Sequence, residues 1–171
     1  ATTHACGVAG TQAAGVMASF GTMCKPLHAG MAAQSGLRAA EWAMRGFTGA
    51  ADILEHKRGF AATHGLRFDI EAGLEGMGEK FFCEDILFKY HAACYGTHSA
   101  IECARLIREN PNFAIENIVK VEIRVHTRIT HMCDIPAPRD GLGIKFSLRM
   151  TMALALSGEP TSALHVYSEE H

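Results

Sequence analysis

Ile118-Val119-Lys120-Val121-Glu122-Ile123-Arg124-Val125-His126 is the stretch on which the expected fold class of this chain turns. Val119, Val121, Ile123 and Val125 alternate with Lys120, Glu122, Arg124 and His126. A period of two, apolar then polar, describes a strand with one packed and one wet face, typical of antiparallel or mixed sheets. Working outward, residues 99–108 read as a helix, with Ser99-Ala100-Ile101-Glu102 in the form of a capping box and Asn110-Pro111 as its stop. Downstream, Pro136, Pro138 and Gly141 mark a long loop. A second helix is expected from Ser147, burying Met150, Ala153, Leu154 and Leu156 and ending at Gly158-Glu159-Pro160. Helix, strand, loop and helix in that order predict an α+β fold.

The first part of the chain has a different character. Most of the alanines precede Thr63, and small residues permit close helix–helix packing. One helix is expected over 11–18, stopping near Gly21. A second, starting after His28, carries Ala32, Ala33, Leu37, Ala40, Ala43, Met44 and Phe47 at three- and four-residue spacing and ends at Gly46 and Gly49. Thr48 suits the cap of a short third helix over 52–55. Residues 71–80 are punctuated by glycine and carry a weaker helical pattern.

Composition excludes several classes of function. The chain has 171 residues, 48% hydrophobic and 20% charged, with a formal net charge of −2. That balance, with no cluster of Lys and Arg, argues against a nucleic-acid partner. No apolar run approaches the roughly 18 residues of a membrane span. The first residues, Ala1-Thr2-Thr3-His4-Ala5-Cys6, lack the positive charge of a signal peptide, so a cytoplasmic location is expected. The chain has no initiator methionine and stops at Glu169-Glu170-His171 without a terminating element, so it is expected to be a piece of a larger protein. The six cysteines, at positions 6, 24, 83, 94, 103 and 133, form no C-x-x-C pair and none of the close groupings of an iron–sulfur cluster. They read as reduced thiols behaving as small apolar residues. Of the ten histidines, His64, His91, His126 and His131 read as structural or surface groups, since no ligand partner stands at metal spacing.

Gly21-Thr22-Met23-Cys24-Lys25-Pro26-Leu27-His28-Ala29-Gly30 carries the chemistry. Proline favours the first turn of a helix, where its missing N–H would be unpaired in any case. The free N–H groups of such a turn form a partial positive pole for anions. Lys25 adds a full charge there, and His28 a group that exchanges a proton near neutral pH. The pair suits a carboxylate-bearing substrate that loses or gains a proton.

The run from Lys25 through Gly36, continuing into Arg38-Ala39-Ala40, Arg45-Gly46-Phe47-Thr48-Gly49, Ile53-Leu54-Glu55 and Arg58-Gly59-Phe60, resembles the MmgE/PrpD family. So do Lys89-Tyr90 followed by Cys94 and Thr97-His98, and Lys145-Phe146-Ser147-Leu148 further on. The family includes 2-methylcitrate dehydratases, cis-aconitate decarboxylases and iminodisuccinate epimerases. The resemblance implies part of a large all-helical domain, residues 1–85, followed by part of a smaller α+β lid, residues 86–171, with the active site in the cleft between. It implies a small di- or tricarboxylate substrate, no cofactor, no metal and a homodimer in the full-length protein.

By the same resemblance, Lys25 would bind a substrate carboxylate and His28 would contact the substrate or exchange a proton with it. Lys89 would bring a second positive charge, and Thr97 and His98 would bind an anion or order the cleft at a helix start. Lys145 and Ser147 read as an ordinary helix start. Decarboxylase-like members carry a histidine where this chain has Cys94 and a tyrosine where it has Met150. Those departures favour a hydro-lyase of the dehydratase type. An epimerase of the same family, needing the same base and the same anion clamp, is the alternative, and a non-catalytic carboxylate-binding member is another. Since the family's other acidic and histidine groups precede this segment, the chain alone is expected to hold half a site and to be inactive.

Overall fold

Two clusters of contacts organise the chain in the computed structural model, which describes residues 1–65 and 69–168. The first unit holds Ala1–Val16 and Pro26–Ile86, the second Met17–Lys25 and Leu87–His171. In chain order the helices are α1 (Thr2–Thr11), α2 (Cys24–Met44), α3 (Phe60–His64), α4 (Ile70–Leu74), α5 (His98–Arg108), α6 (Thr127–Cys133), α7 (Gly141–Ile144) and α8 (Leu148–Ser157). Short 3-10 turns connect several of them. Among the described residues there is no sheet, and the sole β-type contact is an isolated bridge between Asp134 and Ser147. The expected α+β fold is therefore corrected to a helical one. The chain end at 169–171 lies outside the described residues.

The strand expected over 118–126 shows why. The segment is extended, but its alternation sorts the two sides only towards its end, since Val119 and Val121 share the parity of Ile123 and Val125 and are exposed. Ile123 and Val125 pack on the core of the second unit, whereas Val119 is 99% exposed. Among the described residues, however, the backbone of 119–125 forms no hydrogen bond with another segment. Alternation fixes which side chains share a face, but a strand also needs a partner for its N–H and C=O groups, and none lies alongside.

In the first unit, glycines allow backbone-to-backbone packing. A Cβ on Gly49 would stand 2.8 Å from the carbonyl oxygen of His4 and the nitrogen of Val8, so only glycine fits against α1 there. His4 Nδ1 lies 2.9 Å from the Gly49 carbonyl oxygen on the same contact. Helix α1 runs earlier than the expected 11–18: Gly15, at φ +121°, breaks the chain after it, and only a 3-10 turn follows at Met17–Ser19. Helix α2 starts at Cys24 rather than after His28, with Pro26 in its first turn. It ends as expected at Gly46, whose φ of +90° lets Gly46 N donate to Ala43 O at 3.1 Å and Phe47 N to Trp42 O at 2.9 Å. The helix expected over 52–55 is absent. The carbonyls of Ile53 and Leu54 instead accept from the amides of Phe60 and Ala61, at 2.7 and 3.2 Å, which folds that segment into turns ahead of α3. Within the weak 71–80 pattern only Ile70–Leu74 is helical, capped by Asp69 accepting from Ala72 N at 3.1 Å.

In the second unit, α5 packs on α8. Ala100, Ile101 and Ala104 of α5 meet Leu148, Met152, Ala155 and Leu156 of α8, with Cys133, Val166 and Tyr167 completing the core. Two details differ from expectation. Helix α5 begins one residue early, at His98, and Glu102 is not a capping-box partner: it pairs with Arg105 and His91. The buried face of α8 is turned from the expected one, so that Ala153 is exposed and Thr151 is buried. Thr151 tolerates this because its hydroxyl donates to the Ser147 carbonyl at 2.8 Å, leaving no polar group unpaired. The α8 N-terminus matches expectation, with Ser147 Oγ accepting from Met150 N at 3.2 Å. Among the described residues, no helix is long and apolar enough to cross a membrane.

Candidate functional site

Residues 89–98 form a strap that leads into α5, and most of the chemistry of the second unit gathers on it. Two backbone bonds pin it: Cys94 N donates to Lys145 O at 2.8 Å and Ala92 N to Thr161 O at 3.0 Å. The strap turns at Tyr95–Thr97, where Cys94 O accepts both Thr97 N, at 2.9 Å, and Thr97 Oγ1, at 2.8 Å. Thr97 is fully buried, so its hydroxyl is spent on holding this turn. Gly96 leaves room in the turn for Cys133, since a Cβ there would stand 3.0 Å from Cys133 Sγ.

Cys94 itself is half-buried at the head of the turn. Its sulfur takes a hydrogen bond from the Cys133 thiol and another from the Gly96 N–H, and it feels the charges of Lys89 and Lys25. Against the opposing effect of burial, these hold the Cys94 thiol down to about 6, the Cys133 bond being the largest influence. Position adds to this, since thiolates are favoured ahead of a helix N-terminus and beside cations. Cys133 is the reverse case. It is completely buried, and its bond to the Cys94 sulfur together with that burial pushes its own thiol up. The pair thus places its negative charge on Cys94.

The two lysines approach from different parts of the chain. Lys25, in the first turn of α2, is exposed, with its ammonium 5.4 Å from the centre of the Phe20 ring and 5.7 Å from that of Phe146. Lys89 donates to the Ala93 carbonyl at 3.1 Å. Among the described residues no carboxylate pairs with either of them. Lys145, the third lysine near this face, lies over the Tyr167 ring at 5.5 Å.

His98 is 9% exposed, and its Nε2 has no hydrogen-bond partner among the described residues. Its ring stands edge-on to His91, with centroids 5.0 Å apart. Burial first, and the neighbouring His91 second, lower its pKa, which favours the neutral imidazole. His91, itself buried, belongs to a chain of polar contacts that reaches the surface at Glu102. Its Nε2 meets Glu102 Oε1 at 2.7 Å, its Nδ1 meets Thr161 Oγ1 at 2.8 Å, and the Tyr167 hydroxyl donates to the Thr161 carbonyl at 2.8 Å. Arg105 and then His91 hold the Glu102 carboxyl below its usual range.

Of the residues singled out in the sequence, Lys25, Lys89, Thr97 and His98 all fall in the second unit, together with Cys94. His28 falls in the first, half-buried, its ring against Gly15. Two family models match the chain in order: the MmgE/PrpD N-terminal domain over residues 1–72 and the MmgE/PrpD C-terminal domain over residues 91–170. The chain belongs to the MmgE/PrpD family. No curated protein matches it. The C-terminal match spans Cys94, Thr97, His98 and Cys133, and the N-terminal match spans Lys25 and His28. Sequence reasoning treated Cys133 as a small apolar core residue and His91 as structural, and so passed over the sulfur pair. The two cysteines stand far apart in the chain, and no spacing rule links them.

Proposed function

We propose that this MmgE/PrpD chain is part of a lyase of the dehydratase type, removing a proton next to a carboxylate of a small di- or tricarboxylate such as 2-methylcitrate. The observation that carries this reading is the pair of ammonium groups, Lys25 and Lys89, free of carboxylate partners among the described residues and both acting on Cys94. Cations held in place with no internal counter-ion suit a substrate carboxylate and the enolate-like charge that grows when an adjacent carbon loses its proton. His98, in the same unit and near Lys89, offers a neutral ring with an unpartnered nitrogen. Thr97 acts through the turn it holds, not by contact with substrate.

The test uses the full-length protein that carries this chain. Lys25→Ala is expected to lower kcat/KM on the polycarboxylate by about two orders of magnitude with the fold unchanged by circular dichroism. A kcat/KM near that of the unaltered protein would remove Lys25 from the site. In deuterated water, deuterium should enter the carbon next to a carboxylate, with loss of water from the substrate. Deuterium entry and inversion without loss of water would favour the epimerase reading, and steady release of CO2 from cis-aconitate the decarboxylase branch.

A further inference from the structure

Cys94 and Cys133 stand apart from the other four cysteines, all of which are exposed. The Cys133 thiol bears on the Cys94 sulfur and favours its ionised form. Helix α6, which ends in Cys133, packs on the Tyr95–Thr97 turn that begins at Cys94, and the absence of a side chain at Gly96 leaves room for the Cys133 sulfur. Cys94 is half-buried, whereas Cys133 is sealed in the core. That is the layout of an attacking thiol with a resolving thiol behind it.

We propose that Cys94 and Cys133 are a peroxide-reactive thiol pair that closes reversibly to a disulfide. In the first step the Cys94 thiolate attacks one oxygen of hydrogen peroxide. The O–O bond breaks, Cys94 becomes a sulfenic acid, and the departing hydroxide takes a proton and leaves as water. In the second, the Cys133 sulfur gives up its proton and attacks the Cys94 sulfur. The S–O bond breaks, and the hydroxide leaves with that proton as a second water. Two thiols are oxidised and one peroxide is reduced. Lys25 and Lys89 favour the first step by stabilising the thiolate, which is the nucleophilic form. Closure removes the negative charge those lysines face and ties the strap to α6. The inference stands on the packing of α6 and Cys133 against the turn that Cys94 heads and does not depend on the proposed dehydration.

The test follows thiols and not activity. In a chain whose exposed Cys6, Cys24, Cys83 and Cys103 are changed to serine, hydrogen peroxide should remove the Cys94 and Cys133 thiols together. Tandem mass spectrometry should find them in one cross-linked peptide, and dithiothreitol should restore both. Cys94→Ser should leave the Cys133 thiol intact under the same treatment, while Cys133→Ser should leave Cys94 trapped by dimedone as the sulfenic acid. Oxidation of Cys94 to the sulfinic acid while Cys133 stays free, in the chain retaining both, would overturn the proposal. So would loss of Cys94 only at the rate of a cysteine in an unfolded peptide, with no cross-link. Both of these readings come from the chain with its native pair, so they hold even if a serine at 133 disturbs the core.

Discussion

A single atom, the sulfur of Cys94, gathers several influences, and the side chains among them can be removed one at a time. The Cys133 thiol donates to it, the Gly96 amide donates to it, and two lysines bear on it. With its pKa held at about 6, Cys94 is mostly thiolate at pH 7.5, whereas an ordinary cysteine, near 8.5, is mostly thiol there. Alkylation of Cys94 by iodoacetamide, followed by peptide mass spectrometry, should therefore rise with pH to a plateau whose midpoint is near 6. Removing a donor to the thiolate raises its pKa, so Cys133→Ala should move that midpoint upward. A midpoint at the value of a free cysteine in the unaltered chain would show that the sulfur pair does not act as described. At this scale Lys25, His28, Lys89, Thr97 and His98 were singled out by the motifs they stand in, and Cys94 only as a departure from the decarboxylase-like pattern. Their states were not legible in the sequence. Thr97 has its hydroxyl occupied by the Cys94 carbonyl, and His98 is neutral because it is buried beside His91, facts that depend on residues distant in sequence.

At the scale of elements, the glycine ends of α2 and α8 and the Ser147 cap of α8 were read correctly, because that chemistry is local. Ser147 caps α8, and glycines at positive φ close α2 and α8, with Gly158 N donating to Ala155 O at 3.2 Å and Glu159 N to Leu154 O at 2.9 Å. Ser147 is fully buried, and its side chain serves the cap. Ser147→Ala should lower stability by about 1 kcal/mol, read as a lower urea midpoint at unchanged slope. No shift in that midpoint would mean the α8 terminus is held by other groups. The capping box at Ser99 and Glu102 was misread because a helix that starts one residue earlier puts Ser99 inside it. Glu102 is then drawn to Arg105, at 3.0 Å, and to His91. The alternation over 118–126 was read correctly as a pattern and incorrectly as a sheet. Side-chain period is written in the segment itself, but hydrogen-bonding partners are supplied by the rest of the structure.

Over the whole molecule, apolar surface is the dominant physical fact. Val119 is 99% exposed, Phe88 90%, Met23 82% and Met44 80%, and Leu37 of the long helix α2 is 65% exposed. Only Ala39 and Ala43 of α2 are buried. Exposed apolar area on this scale marks surfaces that associate. The 171-residue chain expressed alone is expected to self-associate, with a mass by light scattering that rises with concentration. A concentration-independent monomer with one sharp unfolding transition would show that these faces are tolerated as they stand. The sequence by itself determined the family, the order of its two domains, the Ser147 cap of α8 with the glycines that close α2 and α8, and the identity of the charged groups. All of these follow from residues close together in the chain, where local backbone chemistry and motif spacing suffice. The tertiary structure alone decided that 118–126 lies unpaired, that α8 turns Thr151 inward, and that Cys133 rests against Cys94. Each of these depends on what a distant segment places beside a residue, and a free hydroxyl, amide or thiol carries no local record of the partner that will meet it.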